Sequence, residues 1–149
     1  MSHKPTKVQR LVRLNEFHEE RADDVLRLAV NEQAKARQKH EVATGDIQRI
    51  GEWKTRSSGN AALDLTVYGA ALEMEQLAMA VADALNADLK ERERSTRQAR
   101  EALTQAACAT RVSTKRGKRE SLAAESEWEK RTFDQISDVW LNNREVRRD

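Results

Sequence analysis

Apolar residues recur along this chain with the period of a helix rather than a strand, and they form stripes too narrow for a globular core. Stepping by seven from Val8 gives Asn15, Ala22, Ala29, Ala36, Ala43 and Ile50, a row that is apolar except at Asn15. A companion row three positions on reads Leu11, His18, Val25, Glu32, Lys39, Asp46 and Trp53, apolar at its ends and polar between. Two such rows form the seam of a coiled coil, in which polar members set register at a cost in stability. The first helix is predicted from about residue 5, where Pro5 can occupy an opening turn, to about 56.

Turn formers cluster once, at Ser57-Ser58-Gly59-Asn60, so a turn is predicted over about 57–63. A second helix is then predicted over about 64–146, with Asp64 or Thr66 as its cap. Its seam is read as Val67, Ala71, Met74, Ala78, Val81 and Leu85, then Ala99, Ala102, Ala106 and Ala109, and finally Leu122, Phe133, Ile136 and Trp140. Folding back at Ser58 sets the alanine block of the second arm against the alanine row of the first. The expected fold is therefore all-α: one domain over 1–149, a long antiparallel two-helix coiled-coil hairpin shaped as a rod. The second arm is the longer, so its last 30 or so residues are expected to overhang its partner. Gly117 marks where that helix would break or bend, if it does so anywhere.

Composition sharpens this picture. Charged residues make up 35% of the 149 and aromatics 4%, a balance suited to long helices with wet outer faces. No uninterrupted apolar run is long enough to span a bilayer and the N-terminus has no apolar signal core, which points to a soluble cytoplasmic protein. Cys108, the sole cysteine, reads as a small packing residue among alanines.

Net charge of +2 conceals a segregation. Residues 1–56 hold 12 Lys/Arg against 9 acids, 57–89 hold none against 5, and 90–149 hold 15 against 11. A chain folded in half would have one acidic end and one basic end, able to face two different partners.

The parts needed for catalysis are missing from the pattern. Neither G-x-x-x-x-G-K nor G-x-G-x-x-G occurs, and His3, His18 and His40 are spaced too widely for a metal face, so no enzyme activity, cofactor or metal is expected. Arg111 to Arg119, with five Lys/Arg in nine residues, could meet phosphates, but acids return at once from Glu120. Nucleic-acid binding is accordingly a minor alternative.

The most informative stretch is Val67 to Leu85, where 14 of 19 residues are apolar. A helix with one partner needs about three apolar positions in seven, so Ala70, Leu72, Leu77, Met79, Ala80, Ala82 and Ala84 exceed the assigned seam. Either another protein docks there or the chain self-associates into a four-helix assembly. Trp128, Phe133, Ile136, Val139, Trp140 and Leu141 form a second concentration, on the expected overhang.

Three regions resemble the central-stalk proteins of type III secretion and flagellar export, the FliJ, YscO and HrpO group. They are Arg10-Leu11-Val12-Arg13-Leu14-Asn15-Glu16-Phe17 with Glu19-Glu20-Arg21-Ala22, then Gly59-Asn60 through Tyr68-Gly69-Ala70-Ala71-Leu72, and finally Glu129-Lys130-Arg131-Thr132-Phe133-Asp134-Gln135-Ile136. The resemblance implies a gamma-subunit-like hairpin, working at the cytoplasmic face of an inner-membrane export apparatus. Its terminal end would enter a hexameric export ATPase, with Arg10, Arg13, Leu14, Arg131, Phe133 and Trp140 as contacts. An export-gate membrane protein, and in some members secretion chaperones, would meet the start of the second helix at Ala71, Leu72, Glu75, Ala78, Met79 and Ala82. The family carries bulky residues at the positions of Ala71 and Glu75, a departure in this chain. The remaining alternative is a homo-oligomeric scaffold.

Overall fold

The computed structural model describes residues 6–59 and 64–146; Pro5, Asn60 and the terminal residues lie outside them. Two helices, α1 (Lys7–Ser58) and α2 (Leu65–Val146), pack antiparallel as a hairpin. The turn expected from residue 57 starts later, because Ser57 and Ser58 still belong to α1. The Ser58 hydroxyl donates to the Thr55 carbonyl at 3.0 Å, occupying an acceptor that the helix end leaves free.

Both helix starts are capped by short polar side chains. Thr6 and Gln9 form a reciprocal pair, the Gln9 N–H donating to Thr6 Oγ1 at 3.2 Å and the Thr6 N–H to Gln9 Oε1 at 2.9 Å. At the start of α2, Asp64 Oδ1 accepts the Thr66 N–H at 2.9 Å, so of the two expected caps the structure selects Asp64.

The chain forms two compact units, one joining Met1–Glu19 to Gln105–Asp149 and the other spanning Glu20–Thr104. Within the second unit, the Thr96 hydroxyl reaches the Ala29 carbonyl across the seam at 3.3 Å and the Arg92 carbonyl one turn back at 3.0 Å. Nearer the turn, Arg37 lies 3.9 Å from Glu93, and Lys54 pairs with Glu75. In the first unit, Asn15 Nδ2 donates to the Ala109 carbonyl at 3.4 Å. Near Gly117 the helices come close enough that a Cβ added there would lie 3.4 Å from Val8 Cγ1. The chain passes Gly117 without leaving the helix.

Five of the seven buried apolar residues are alanines: Ala36, Ala43, Ala71, Ala82 and Ala99, beside Val8 and Leu89. Small side chains let the two backbones approach, but each buries little area, so the seam is close and thin. Thr96 and Ser113 are buried too, each hydroxyl satisfied by a carbonyl of its own helix.

The seam corrects the expected one by a single position. In α1 the row Val8, Asn15, Ala22, Ala29, Ala36, Ala43, Ile50 does face α2, fully or half buried. Its companion is Val12, Glu19, Leu26, Gln33, His40, Ile47 and Lys54, one residue beyond the row read from the sequence. Of that earlier row, Leu11, His18, Val25, Lys39, Asp46 and Trp53 are exposed. In α2 the expected Ala71, Ala78, Leu85, Ala99 and Ala106 face α1. Leu122, Phe133, Ile136 and Trp140, at the far end of the expected seam, are exposed, and so are Val67, Met74, Val81, Ala102 and Ala109. Their places are taken by Tyr68, Glu75, Ala82, Leu89, Thr96, Leu103, Thr110 and Gly117. Cys108, expected among packed alanines, is exposed as well.

Candidate partner-binding surfaces

The unit formed by Met1–Glu19 and Gln105–Asp149 presents the first surface. Val8 lies against Gly117, and beyond that contact α2 continues to Val146. Residues 121–131 are exposed without exception. Leu122, Phe133, Ile136 and Trp140 recur at helical spacing on one face, each more than 60% or at 60% exposed, with Trp128 and Val139 alongside. An isolated apolar helix face of this kind gains from water exclusion only when a second surface covers it.

Basic groups accompany that stripe. Arg10 and Arg13 are exposed on the opening turns of α1, with Leu14 beside them. Arg131 stands in solvent, 3.7 Å from Glu127, and the Arg144 guanidinium lies 5.3 Å from the centre of the Trp140 ring. All six residues expected at an ATPase ring (Arg10, Arg13, Leu14, Arg131, Phe133 and Trp140) are thus exposed in one unit. Where the opening turns of α1 meet α2, a groove is lined by Val8, Val12, Arg13, Thr114, Gly117 and Lys118. The basic side chains between Arg111 and Arg119 are exposed on the same segment, with Arg116 bonded to Glu120 at 3.1 Å.

The unit spanning Glu20–Thr104 presents the second surface. Of the six residues expected to meet an export gate, Ala71 and Ala82 are buried against α1, while Glu75 and Ala78 are half buried in the seam. Glu75 is moreover engaged by Lys54, the two side chains being only 17% and 19% exposed. Leu72 and Met79 remain exposed, one helical face apart from the seam. A further apolar row, which the sequence reading had assigned to the seam, faces solvent at Val67, Met74 and Val81, and Leu77 is exposed beside it. The signal that could have separated the rows is the pairing of charged residues across helices, Lys54 with Glu75, which a single-helix pattern does not reveal.

Among the described residues no group of three or more His, Cys, Asp or Glu is placed to hold a metal ion, and no helix is long and apolar enough to cross a membrane. No family model matches this chain, and no curated protein or solved structure matches it either.

Proposed function

We propose that this chain is a non-catalytic stalk component of a bacterial type III secretion or flagellar export apparatus. In this reading it binds the hexameric export ATPase, promotes ring assembly and turnover, and links the ring to the export gate or to chaperones at the cytoplasmic face of the membrane. The observation that carries the reading is the run of α2 past Gly117, where Phe133, Ile136 and Trp140 stand exposed together with Arg131. An apolar stripe carrying Phe133 and Trp140, with Arg144 over the Trp140 ring, suits the core of a protein interface, where those residue types concentrate binding energy. The resemblance of the opening, turn and closing segments to the stalk family supplies the identity of the partner.

The role for the turn-proximal unit narrows to Leu72 and Met79. Ala71 and Ala82 cannot contact a partner while packed on α1, and Glu75 is occupied by Lys54. A polarisable methionine beside a leucine suits a surface that adapts to a partner, whether gate or chaperone.

Mixing the chain with the export ATPase from its own source tests the proposal. The expected result is ring assembly and a several-fold rise in hydrolysis, both lost in the Phe133→Asp, Trp140→Asp double variant while helicity is kept. Unchanged hydrolysis with no ring assembly would overturn it.

A further inference from the structure

The exposed row on α2 is the start of a complete second seam. Val67, Ala70, Met74, Leu77, Val81 and Ala84 follow one another at spacings of three and four residues, and all six are exposed. The next positions in the same two rows are Asp88 and Glu91, so charge ends the stripe. On the wheel of α2 this stripe borders one side of the hairpin seam, and Leu72 and Met79 border the other. Across the hairpin, Val42 continues the apolar surface, lining a shallow groove with Val81 and Leu85 between Lys39 and Asp46.

We propose that this stripe is the interface between two copies of the chain, packed antiparallel about a two-fold axis between Met74 and Leu77. The order of large and small residues carries the assignment. Read from either end, the stripe gives the same succession of steps, so an antiparallel copy matches it position for position. Val67 then faces Ala84, Ala70 faces Val81, and Met74 faces Leu77. Large is set against small at both flanks and two long flexible side chains meet at the centre, which is how close-packed helix layers interdigitate. A parallel copy would set each valine against a valine and each alanine against an alanine, leaving alternate gaps and crowding.

The area is sufficient. Val67 and Val81 are 49% exposed, Met74 62% and Leu77 72%, and with Val42 and Trp53 on α1 they offer roughly 600 Å² per copy, or about 1,200 Å² for the pair, the lower bound for a specific interface. A dissociation constant on the order of micromolar is expected for such an interface. The dimer does not rest on the export reading, because it uses neither the segment past Gly117 nor the Leu72 and Met79 flank.

Sedimentation equilibrium of the full chain tests this, with circular dichroism beside it. Wild-type protein is expected to reach twice the monomer mass. Leu77→Asp and Met74→Lys, both at exposed positions, are expected to keep full helicity and weaken association by about 100-fold or more, since each would bury a charge at the axis. If either loses helix, Val81→Glu gives the same reading from the flank. In a Cys108→Ser background, copies carrying Val67→Cys are expected to form disulfides with copies carrying Ala84→Cys, and not among themselves. A monomer at every concentration, a dimer that survives the charged substitutions, or cross-linking of Val67→Cys copies only to one another would overturn the proposal.

Discussion

Lys54 and Glu75 show how a seam of small residues tolerates charge. Each would be a defect on its own helix, a long ionic side chain at a position that should be apolar. Across the seam the two neutralise one another, at less than one-fifth exposure. Removing one partner leaves the other's charge partly desolvated, whereas removing both replaces an ion pair by apolar contact. Lys54→Leu and Glu75→Leu are each expected to destabilise the hairpin by about 1–3 kcal/mol, and the double variant by clearly less than their sum. Urea unfolding of the four proteins measures the coupling; strict additivity would mean that the pair contributes nothing. The Arg37 and Glu93 contact, longer and well exposed, is expected to contribute under about 1 kcal/mol.

At the scale of the helices, the stability of the hairpin depends on how closely the backbones approach. Ala36 is 4% exposed, in a row of small residues that faces α2. Ala36→Leu is expected to cost about 1–3 kcal/mol by forcing the helices apart, even though leucine is a good helix former. Thermal unfolding checks this, and a stabilised variant would mean that the seam is looser than described. The two helices, their antiparallel order and the row through Ala36 and Ala43 were legible in the sequence. The companion row was not, for a countable reason: Leu11, Val25 and Trp53 are apolar in the rejected row, and Val12, Leu26 and Ile47 in the true one. Hydrophobic pattern alone could not choose between equal stripes. The choice lies in cross-helix partners such as Lys54 with Glu75, visible only once the second helix is in place. The same one-residue shift in α2 moved Val67, Met74 and Val81 from an imagined core to an open surface.

At the scale of the whole molecule, the chain keeps apolar area in reserve. Its seam is thin, while leucines, valines, methionines and both α2 tryptophans face water. Such a chain gains more by association than by folding further on itself. Which residues form these surfaces was only partly readable beforehand: Phe133 and Trp140 stood out by type and spacing, but Ala71 and Ala82 looked available and are buried. The alanine at 71, read as a departure from the stalk pattern, is buried against α1, where the close helix approach requires a small side chain.

Amide hydrogen exchange over residues 125–144 is the decisive measurement, because a helix exposed on every face opens far more readily than one packed along a seam. In the isolated chain these amides are expected to exchange faster than those of 80–105, and to slow by at least about tenfold when the export ATPase is added, with the seam segment unchanged. Equal exchange with and without the ATPase, or protection already complete in the isolated chain, would contradict the assignment of this segment as the docking element.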